Sequence, residues 1–586
     1  MASDFQQAIV AGVERLSAWA DLLDRINVFP VADGDTGRNL VVSLAPLRWC
    51  DGDRGKVARA LLLSARGNSG NIANRFMTEF IQADSVETLR RAAERGRRQA
   101  RQAVHDPRPG TMLTLFDALS EQMDEEAHTL EASFREEDRC AEKMLLELWG
   151  RKVLGRLEET VRSTPDFLPK LKQAGVVDAG ALGMFLYFEG FFQRFLRMDG
   201  EFRPVTDVFP DSLSISGSFR EEAESGYCVD AVLDSGREAE EAVRRLSAVS
   251  DSVVVTRDSD YLKIHLHTSE RDAVRNQMAS LGAVVKWEDD DLGDQTRRFR
   301  QPGIRQAVHI MTDAAGSVTR EDARALGITL LDSYVTSGET CLPETHFDPS
   351  KVYAGMRQGI QTVTSQASVF ERHQRYESAL GLHEKVLYLC VGSVFTGNYD
   401  VATRWKQTHD PGNRLTVLDT SAASGRLGLI ALAAARLSRQ SGDSEEVVRF
   451  AKDAVARCEE YIFLDRLEYL AAGGRLSRTG AFFGDVLHMK PVISPLAEGA
   501  KKVGVAKNRA GQLAFALDRL NRSLPVNGKA ILMLEYSDNR SWIEEAVRPE
   551  IAARYRHAEI LVRPISLTTG VHTGPGTWGL AFLAER

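Results

Sequence analysis

The sequence predicts a multidomain protein with an all-α N-terminal domain, a small α/β middle domain and a larger α/β C-terminal domain. Through roughly the first 200 residues, apolar side chains recur at helical spacing and strand-like alternation is scarce. The stretch from Phe202 to Ser218, with Pro204 and Pro210, is typical of a connector. After Val308, short β-rich runs alternate with helical runs, which favours a largely parallel sheet covered by helices.

Length and composition set the broad class. A chain of 586 residues is too long for one hydrophobic core. With 43% apolar and 27% charged residues it has the composition of a globular protein, and a net charge of −8 gives no sign of a nucleic-acid partner. No apolar run approaches the about 20 residues of a membrane span, and the first residues lack the form of a signal peptide. We therefore expect a cytoplasmic protein.

The cysteines are scattered without paired spacing, so we expect reduced thiols and no disulfide framework. They are Cys50, Cys140, Cys228, Cys341, Cys390 and Cys458.

The stretch from Asn27 to Gly37 carries two carboxylates, Asp33 and Asp35, separated by one glycine. In a tight turn both can face one point, where they repel each other unless hard cations such as Mg²⁺ lie between them. Glycine at 34 and 37 lets the backbone approach metal-bound phosphates. An ordinary Asx-type turn would explain the same residues.

The stretch from Arg66 to Gly70 has the composition of a phosphate cradle. Its two glycines flank Asn68 and Ser69, so backbone N–H groups and short polar side chains are free to bind phosphate oxygens, most usefully at a helix N-terminus. Arg66 adds positive charge, and an ordinary loop is again the alternative. Together with the acidic turn, this stretch predicts an ATP-dependent phosphotransferase.

In this order, the two stretches resemble the dihydroxyacetone-kinase-like nucleotide domain (DhaL-like). The resemblance continues at Gly110 to Thr114 and at Ala174 to Gly180, and it covers residues 1–203. It implies ATP and two Mg²⁺ ions, with Asn27, Asp33 and Asp35 as metal ligands. The nucleotide-binding residues that it implies are Thr36, Asn39, Asn68, Ser69, Gly70, Thr111 and Asp178.

A second predicted domain, residues 217–300, contains two histidines two positions apart. On a strand, His265 and His267 point to the same face, and with Cys228 they make a tetrahedral Zn²⁺ set whose fourth ligand is open. A polar strand face is the alternative. Segments from Ser225 to Cys228 and from Lys263 to Thr268 resemble the middle domain of the kinase subunit of bacterial fatty acid kinase. That resemblance implies bound zinc and places both histidines near the phosphotransfer site, so that a catalytic role for them stands beside a structural one.

Residues 304–586 are similar to the DegV family, the fatty-acid-binding subunits of the same kinase system. The motifs that carry this similarity include Thr312-Asp313, Thr364-Ser365-Gln366, Gly473 to Ser477 and His572 to Gly576. The resemblance implies an apolar tunnel for a long-chain fatty acid and a polar site for its carboxylate. The head-group residues would be Thr364, Ser365, Ser393, Thr396, Arg475 and His572.

These features predict a natural fusion of both halves of a fatty acid kinase. It would transfer the γ-phosphate of ATP to a fatty acid carboxylate and hand the acyl phosphate to acyltransferases of phospholipid synthesis. We expect a homodimer without nucleic-acid partners or membrane spans, and transient membrane contact stays open. The alternatives are a dihydroxyacetone-type kinase for a small hydroxyl substrate and a lipid-binding regulatory protein with a vestigial nucleotide site.

Overall fold

The computed structural model describes residues 2–49, 52–126, 139–220, 225–234, 239–257, 260–293, 305–472, 489–525 and 527–585. The chain divides into two compact units, Met1–Pro302 and Gly303–Arg586. The predicted class is confirmed, because a helical N-terminal region is followed by a small sheet and then by an α/β C-terminal region. Within the described ranges, no helix combines the length and apolar character needed to cross a membrane.

The N-terminal region of the first unit is helical. Its long helix Ala179–Phe195 is apolar almost all round, as expected for a helix at the centre of a bundle. The first helix packs on it, with the Phe5 ring 5.5 Å from that of Phe191. The helices are α1 Ala2–Ala18, α2 Ala20–Ile26, α3 Thr36–Leu44, α4 Arg54–Ser64, α5 Gly67–Phe80, α6 Val86–Gln102, α7 Met112–Glu125, α8 Arg139–Phe167, α9 Pro169–Ala174, α10 Ala179–Phe195 and α11 Val205–Val208.

Helix α5 lies unusually close to α3, and glycines make this approach possible. A Cβ at Gly70 would lie 2.0 Å from Ser43 Oγ, and one at Gly67 would lie 2.3 Å from Asn39 Nδ2. Gly67 also has a φ of +60°, which L side chains rarely adopt. The glycines predicted to cradle phosphate are therefore also required by packing.

The small sheet of the first unit is antiparallel, in the order β2-β3-β1-β4. One face is apolar, including Val229 and Ile264, and packs against two helices. The fourth strand was not predicted, because its end, from Glu288 to Asp291, consists of acidic residues that are rare in strands. The elements are β1 Tyr227–Asp234, α12 Ala239–Leu246, β2 Asp251–Arg257, β3 Tyr261–Thr268, α13 Arg271–Leu281 and β4 Ala283–Asp291.

This sheet is joined to the helical region through backbone hydrogen bonds at the β2 edge. Val255 N donates to Ala103 O at 3.3 Å, and His105 N donates to Val253 O at 3.4 Å. The polar face of the sheet, which carries Cys228 and alternate residues of β3, contacts the helical region through Asp230, whose Oδ2 accepts from Gly67 N of α5 at 3.1 Å.

The second unit contains two larger sheets and a small one, β8-β7-β9. The sheet β11-β10-β5-β6 is parallel, as predicted. In the sheet β14-β13-β12-β17-β15-β16, β15 and β16 are parallel and the other neighbouring pairs are antiparallel, so the prediction of a largely parallel sheet is wrong there. The short β13–β14 connection leaves no room for the crossover that parallel strands need.

The strands of the second unit are β5 His309–Asp313, β6 Ile328–Leu331, β7 Tyr334–Ser337, β8 Thr340–Pro343, β9 Thr362–Ser365, β10 Val386–Cys390, β11 Leu415–Asp419, β12 Glu459–Phe463, β13 Lys490–Leu496, β14 Gly499–Ala506, β15 Ala530–Tyr536, β16 Ala558–Pro564 and β17 Trp578–Ala584. Its helices are α14 Arg320–Leu326, α15 Pro349–Arg357, α16 Val369–Leu382, α17 Asn398–His409, α18 Ser424–Gln440, α19 Ser444–Arg457, α20 Glu468–Ala472, α21 Arg509–Ser523, α22 Arg540–Trp542, α23 Arg548–Arg554 and α24 Leu567–Thr573.

Candidate functional site

The acidic turn between α2 and α3 brings its carboxylates together. Burial and the neighbouring Asp35 carboxylate raise the pKa of Asp33 well above its usual range. Asn27 Nδ2 donates to Asp33 Oδ1, and Arg38 Nη2 lies 3.7 Å from Asp35 Oδ2. Asn27, Asp33 and Asp35 thus lie together, and their carboxylate and amide groups carry oxygen atoms, the ligand type that Mg²⁺ prefers.

Two further carboxylates near this cluster were missed in the sequence. Arg38 N donates to Asp24 Oδ1 at 3.1 Å, and burial raises the pKa of Asp24 to about 7 although Arg38 opposes this. Burial, with the Asp35 carboxylate, also raises the pKa of Asp290 on β4, and Arg38 again acts in the opposite direction. No local pattern marks either residue, because only the fold brings them to the turn.

The predicted phosphate cradle forms the first turn of α5, and Arg66 is its N-cap residue without a side-chain cap. Gly70 N donates to Arg66 O at 3.0 Å, while Asn68 and Ser69 are half-buried beside it. Gly67 N donates to Asp230 Oδ2 at 3.1 Å, which leaves the N–H groups of Asn68 and Ser69, without intrahelical partners by their position, suited to binding an anion.

The first turn of α3 connects the acidic turn to α5. Thr36 and Asn39 are both buried, and Asn39 N donates to Asp35 O at 2.8 Å. Because the Asn39 amide also lies against Gly67, the structure brings the acidic turn, Asn39 and the first turn of α5 together.

Thr111 and Asp178 form a second group, at the N-termini of α7 and α10. Thr111 Oγ1 accepts from Leu113 N at 3.4 Å, and Asp178 Oδ1 accepts from Ala181 N at 2.7 Å. Burial raises the pKa of Asp178 to about 7, opposed by the backbone N–H groups of Ala181, Gly180 and Met112. Both side chains therefore cap helices, and their predicted contact with nucleotide stays a prediction.

On the polar face of the small sheet, Cys228, His265 and His267 form a compact group, here called the metal trio. One ligand atom from each residue lies within 4.8 Å of the other two. In a tetrahedral zinc site the ligand atoms are about 3.3–3.8 Å apart, so these three atoms need to move only slightly closer together to bind one zinc ion. Cys228 also packs against Val31 of the acidic-turn segment, which places the metal trio next to the predicted Mg²⁺ site.

The imidazole of His265 fits a metal ligand. The residue is 0% exposed, and among the described residues neither ring nitrogen makes a hydrogen bond, although Nδ1 lies 3.3 Å from Asp230 Oδ2. Such a buried ring is costly unless a ligand satisfies one of its nitrogens. Burial, with a contribution from His265, lowers the pKa of His267 to about 3, so His267 is neutral and its lone pair is available.

Asp230 and Lys263 extend this polar face, and the sequence reasoning did not assign either of them. Lys263 Nζ lies 3.3 Å from Asp230 Oδ1. Burial alone would raise the pKa of Asp230, but Lys263 and His265 hold it well below its usual range. The alternation of polar residues along β1 and β3 was the signal available for finding them.

In the second unit, the structure pairs two of the predicted head-group residues. Thr364 Oγ1, on β9, lies 3.0 Å from His572 Nε2, on α24. Ser365 follows Thr364 at the end of the strand and is exposed. Thr364 and His572 therefore form a polar pair of the kind that binds a carboxylate.

Ser393 and Thr396 lie in the loop after β10. Ser393 N donates to Asp419 Oδ1 at 3.2 Å, and Thr396 Oγ1 accepts from Asn398 N at 3.3 Å. Asp313 holds this loop, since its carboxylate accepts from Asn398 Nδ2 at 2.8 Å. Arg475 lies outside the described residues, with the whole segment from Gly473 to Ser477.

Three family models match the chain in the order expected. They are the DAK2 domain over residues 53–193, the FakA-like middle domain of fatty acid kinase over 224–299, and the uncharacterised DegV family over 307–585. The resemblances read from the motifs are therefore confirmed. The chain is a multidomain protein in which kinase-related regions precede a DegV region.

Among curated proteins, an uncharacterised protein of Staphylococcus aureus strain USA300 is 27% identical over 378 residues, which is 58% of this chain and 65% of that protein. The same values hold for a protein of strain NCTC 8325. This chain thus matches just under two thirds of the length of these relatives.

Solved structures similar to this chain include two from the DegV family. A DegV family protein from Thermus thermophilus, described as fatty-acid-binding, is 25% identical, with a TM-score of 0.44 over 47% of this chain and 99% of that one. DegV from Bacillus subtilis, described as a fatty acid binding protein, is 20% identical, with a TM-score of 0.44 over 48% of this chain and 100% of that one.

Proposed function

We propose that this protein is an ATP-dependent fatty acid kinase that forms an acyl phosphate and ADP. The observation that carries the proposal is the acidic pair of half-buried Asp33 and buried Asp35, set beside the first turn of α5 and the metal trio. Two neighbouring carboxylates, of which Asp33 has a pKa raised by burial and by Asp35, are suited to divalent cations, and the adjacent helix N-terminus is suited to phosphates. The matches to the DAK2 domain, the FakA-like middle domain and the DegV family support the same reading.

In this proposal, Asn27, Asp33 and Asp35 hold two Mg²⁺ ions, and the first turn of α5 donates N–H groups to phosphate oxygens. Divalent cations held there neutralise charge on the phosphates. Cys228, His265 and His267 hold one zinc ion, which keeps both imidazoles near the transferred group. The region with Thr111 and Asp178 would contact the nucleotide.

The second unit would bind the fatty acid, with Thr364 and His572 orienting its carboxylate and Ser365, Ser393, Thr396 and Arg475 completing the head-group site. The acyl tail would be buried in apolar surroundings, where each methylene contributes about 0.8 kcal/mol. A carboxylate oxygen bonds to the γ-phosphorus as the bond to the ADP oxygen breaks. Because the carboxylate is already ionised, no strong general base is needed, and positioning is the main catalytic task.

The test incubates the full chain with oleate, ATP, Mg²⁺ and hydroxylamine, and measures hydroxamate and ADP by mass spectrometry. We expect hydroxamate from the unmodified chain and from His557→Ala, an exposed histidine of the second unit. His572→Ala should form much less, because misplacing the carboxylate by about an ångström can lower the rate on the order of a hundredfold.

Other outcomes would contradict the proposal. Phosphorylation of dihydroxyacetone without any hydroxamate would indicate a small-hydroxyl kinase. Binding of oleate without ATP turnover would indicate a lipid-binding regulatory protein.

A further inference from the structure

Asp230 connects the small sheet to the helix that carries the predicted phosphate cradle. Its carboxylate lies on the polar face of β1, two residues from Cys228, and the residue is 9% exposed. Gly67 N donates to Asp230 Oδ2 at 3.1 Å, and Asn71 Nδ2 donates to Asp230 Oδ1 at 3.5 Å. One carboxylate on the sheet thus binds the first two turns of α5.

The same carboxylate is bound to β3. Lys263 Nζ lies 3.3 Å from Oδ1, and His265 Nδ1 lies 3.3 Å from Oδ2. Lys263 is only 1% exposed, so its ammonium group depends on Asp230 for compensation. Asp230 Oδ2 therefore lies between a member of the metal trio, His265, and the first N–H group of α5.

Another charged contact between the two regions is weaker. Arg66 Nη2 lies 3.3 Å from Glu288 Oε2, but both side chains are about a third exposed or more. Exposed ion pairs contribute little, about 0–1 kcal/mol. The buried contacts of Asp230 are thus better placed to transmit a change in the position of His265 to Gly67.

We propose that Asp230 is a positioning residue that couples the metal trio to the first turn of α5, so that zinc and nucleotide raise each other's affinity. When zinc fixes the His265 ring, the ring holds Asp230 Oδ2 in place. Asp230, which accepts the Gly67 N–H, then fixes the first turn of α5 so that its next N–H groups, those of Asn68 and Ser69, can receive phosphate. Coupling between two sites is reciprocal, so zinc must strengthen nucleotide binding by the same factor by which nucleotide strengthens zinc binding. The inference rests on the proposed function for the identity of the nucleotide and the metal.

The test measures two affinities in the full chain. Calorimetry gives the dissociation constant of a non-hydrolysable ATP analogue with Mg²⁺, for zinc-loaded protein and for protein stripped with a zinc-selective chelator. Competition with a chromophoric chelator gives the zinc affinity with and without the analogue. We expect the same coupling factor in both directions, within the range of about 5- to 150-fold that is usual for coupled sites.

Asp230→Asn keeps an oxygen that can accept from Gly67 N but removes the charge that binds Lys263. In this variant we expect the coupling factor to fall close to one while the analogue still binds. Asp234→Asn is the matched control, because Asp234 lies on the same face at the exposed end of β1, and it should keep the full factor. If Asp230→Asn does not fold, Asn71→Ala removes one contact between α5 and Asp230 and should reduce the factor.

A coupling factor of one in the unmodified chain, or an unchanged factor in Asp230→Asn, would overturn the inference. If Asp230→Asn does not fold but Asn71→Ala does, an unchanged coupling factor in Asn71→Ala would overturn the inference. These outcomes are separate from the proposed function. If hydroxamate forms but the coupling factor is one, only the coupling role of Asp230 is contradicted. If the coupling factor is large but no hydroxamate forms, only the proposed fatty acid kinase activity is contradicted.

Discussion

At the residue scale, Asp33 and Asp35 meet in one turn, where burial and repulsion from the Asp35 carboxylate raise the pKa of Asp33. A bound cation relieves this repulsion, and an amide in place of one carboxylate relieves it without a cation. We therefore expect Asp33→Asn to lower Mg²⁺-dependent ATP turnover at least about a hundredfold, since even partners of metal ligands contribute about 10- to 100-fold. The thermal midpoint of the metal-free protein should stay equal or rise.

An enzyme-coupled ADP assay and calorimetric unfolding in chelator check both effects. Asp106→Asn is the control, because Asp106 is exposed in the same unit, and it should change neither quantity. Full Mg²⁺-dependent turnover in Asp33→Asn would show that the metal assignment is wrong.

Cys228 gives the second prediction at this scale. It is one of three ligands in the metal trio, so Cys228→Ser should reduce zinc from about one ion per chain to a small fraction of that, and activity should fall with it. Elemental analysis of protein purified without chelators measures this. Cys341→Ser, which changes a half-buried thiol of the second unit, should retain zinc. If the unmodified protein contains no zinc, the metal assignment is wrong and the metal trio is only a polar face of the strands.

The residues that could be read from the sequence were those in compact motifs. The acidic turn, Asn68 with Ser69, and the pair His265 and His267 lie within a few positions of one another. Asp230 and Asp290 could not be read in this way, because their partners are distant in sequence. Only β-strand register brings them to Gly67 and to the acidic turn.

At the scale of elements, Glu344 supports the helix that carries His572. Its Oε2 accepts from Thr568 N, in the first turn of α24, at 2.9 Å. Burial, with a contribution from Asp332, raises the pKa of Glu344 to about 7 although the Thr568 N–H acts in the opposite direction. The short helix α24 therefore begins on a carboxyl group that is protonated more readily than an exposed one.

This shift predicts a pH dependence. The pKa of Glu344 in the folded state lies above the ordinary value of 4.5, so its stabilising contribution is complete below about pH 4.5 and is lost as the pH rises through about 7. Glu344→Gln removes the ionisation. From pH 5 to pH 9, the variant should gain stability relative to the unmodified chain, by up to about 3 kcal/mol.

Denaturant unfolding at several pH values, followed in the second unit, measures the difference. Glu339→Gln, an exposed change in the neighbouring β7–β8 hairpin, should leave the pH dependence unaltered. A constant difference between Glu344→Gln and the unmodified chain across this range would contradict the shift.

Most elements could be predicted because their apolar spacing is regular, as in α1 and in the parallel strands β5 and β10. Strand β4 could not, because it ends in four consecutive acidic residues, and only the β1–β4 register shows that Glu288 and Asp290 share a face with Asp230 and Cys228. The antiparallel pairing in the second large sheet depends on which strands become neighbours, and similar apolar runs suit either direction.

At the scale of the whole molecule, the order of motifs was sufficient to predict the combination of regions that the family models confirm. Each group of motifs could be recognised from its local chemistry. The first unit has an acidic turn suited to cations, and the second has hydroxyl side chains and a histidine suited to a carboxylate. Phosphoryl transfer from ATP to the fatty acid carboxylate cannot be derived from a local motif, because it depends on how often the two units of one chain encounter each other. A covalent link sets that frequency through effective concentration.

A short link gives an effective concentration of about millimolar, whereas separate chains in an assay are present at about micromolar concentration. We therefore expect phosphoryl transfer between the two units of one chain. Asp33→Asn disables the first unit and His572→Ala the second, so the two variants should not restore each other. Co-expressed with different tags, purified together and assayed for hydroxamate, they should give no more product than the sum of the separate variants. The specific rate of the unmodified chain should also stay constant on dilution. Recovery to a substantial fraction of the unmodified rate would show instead that the carboxylate on one chain is phosphorylated by another.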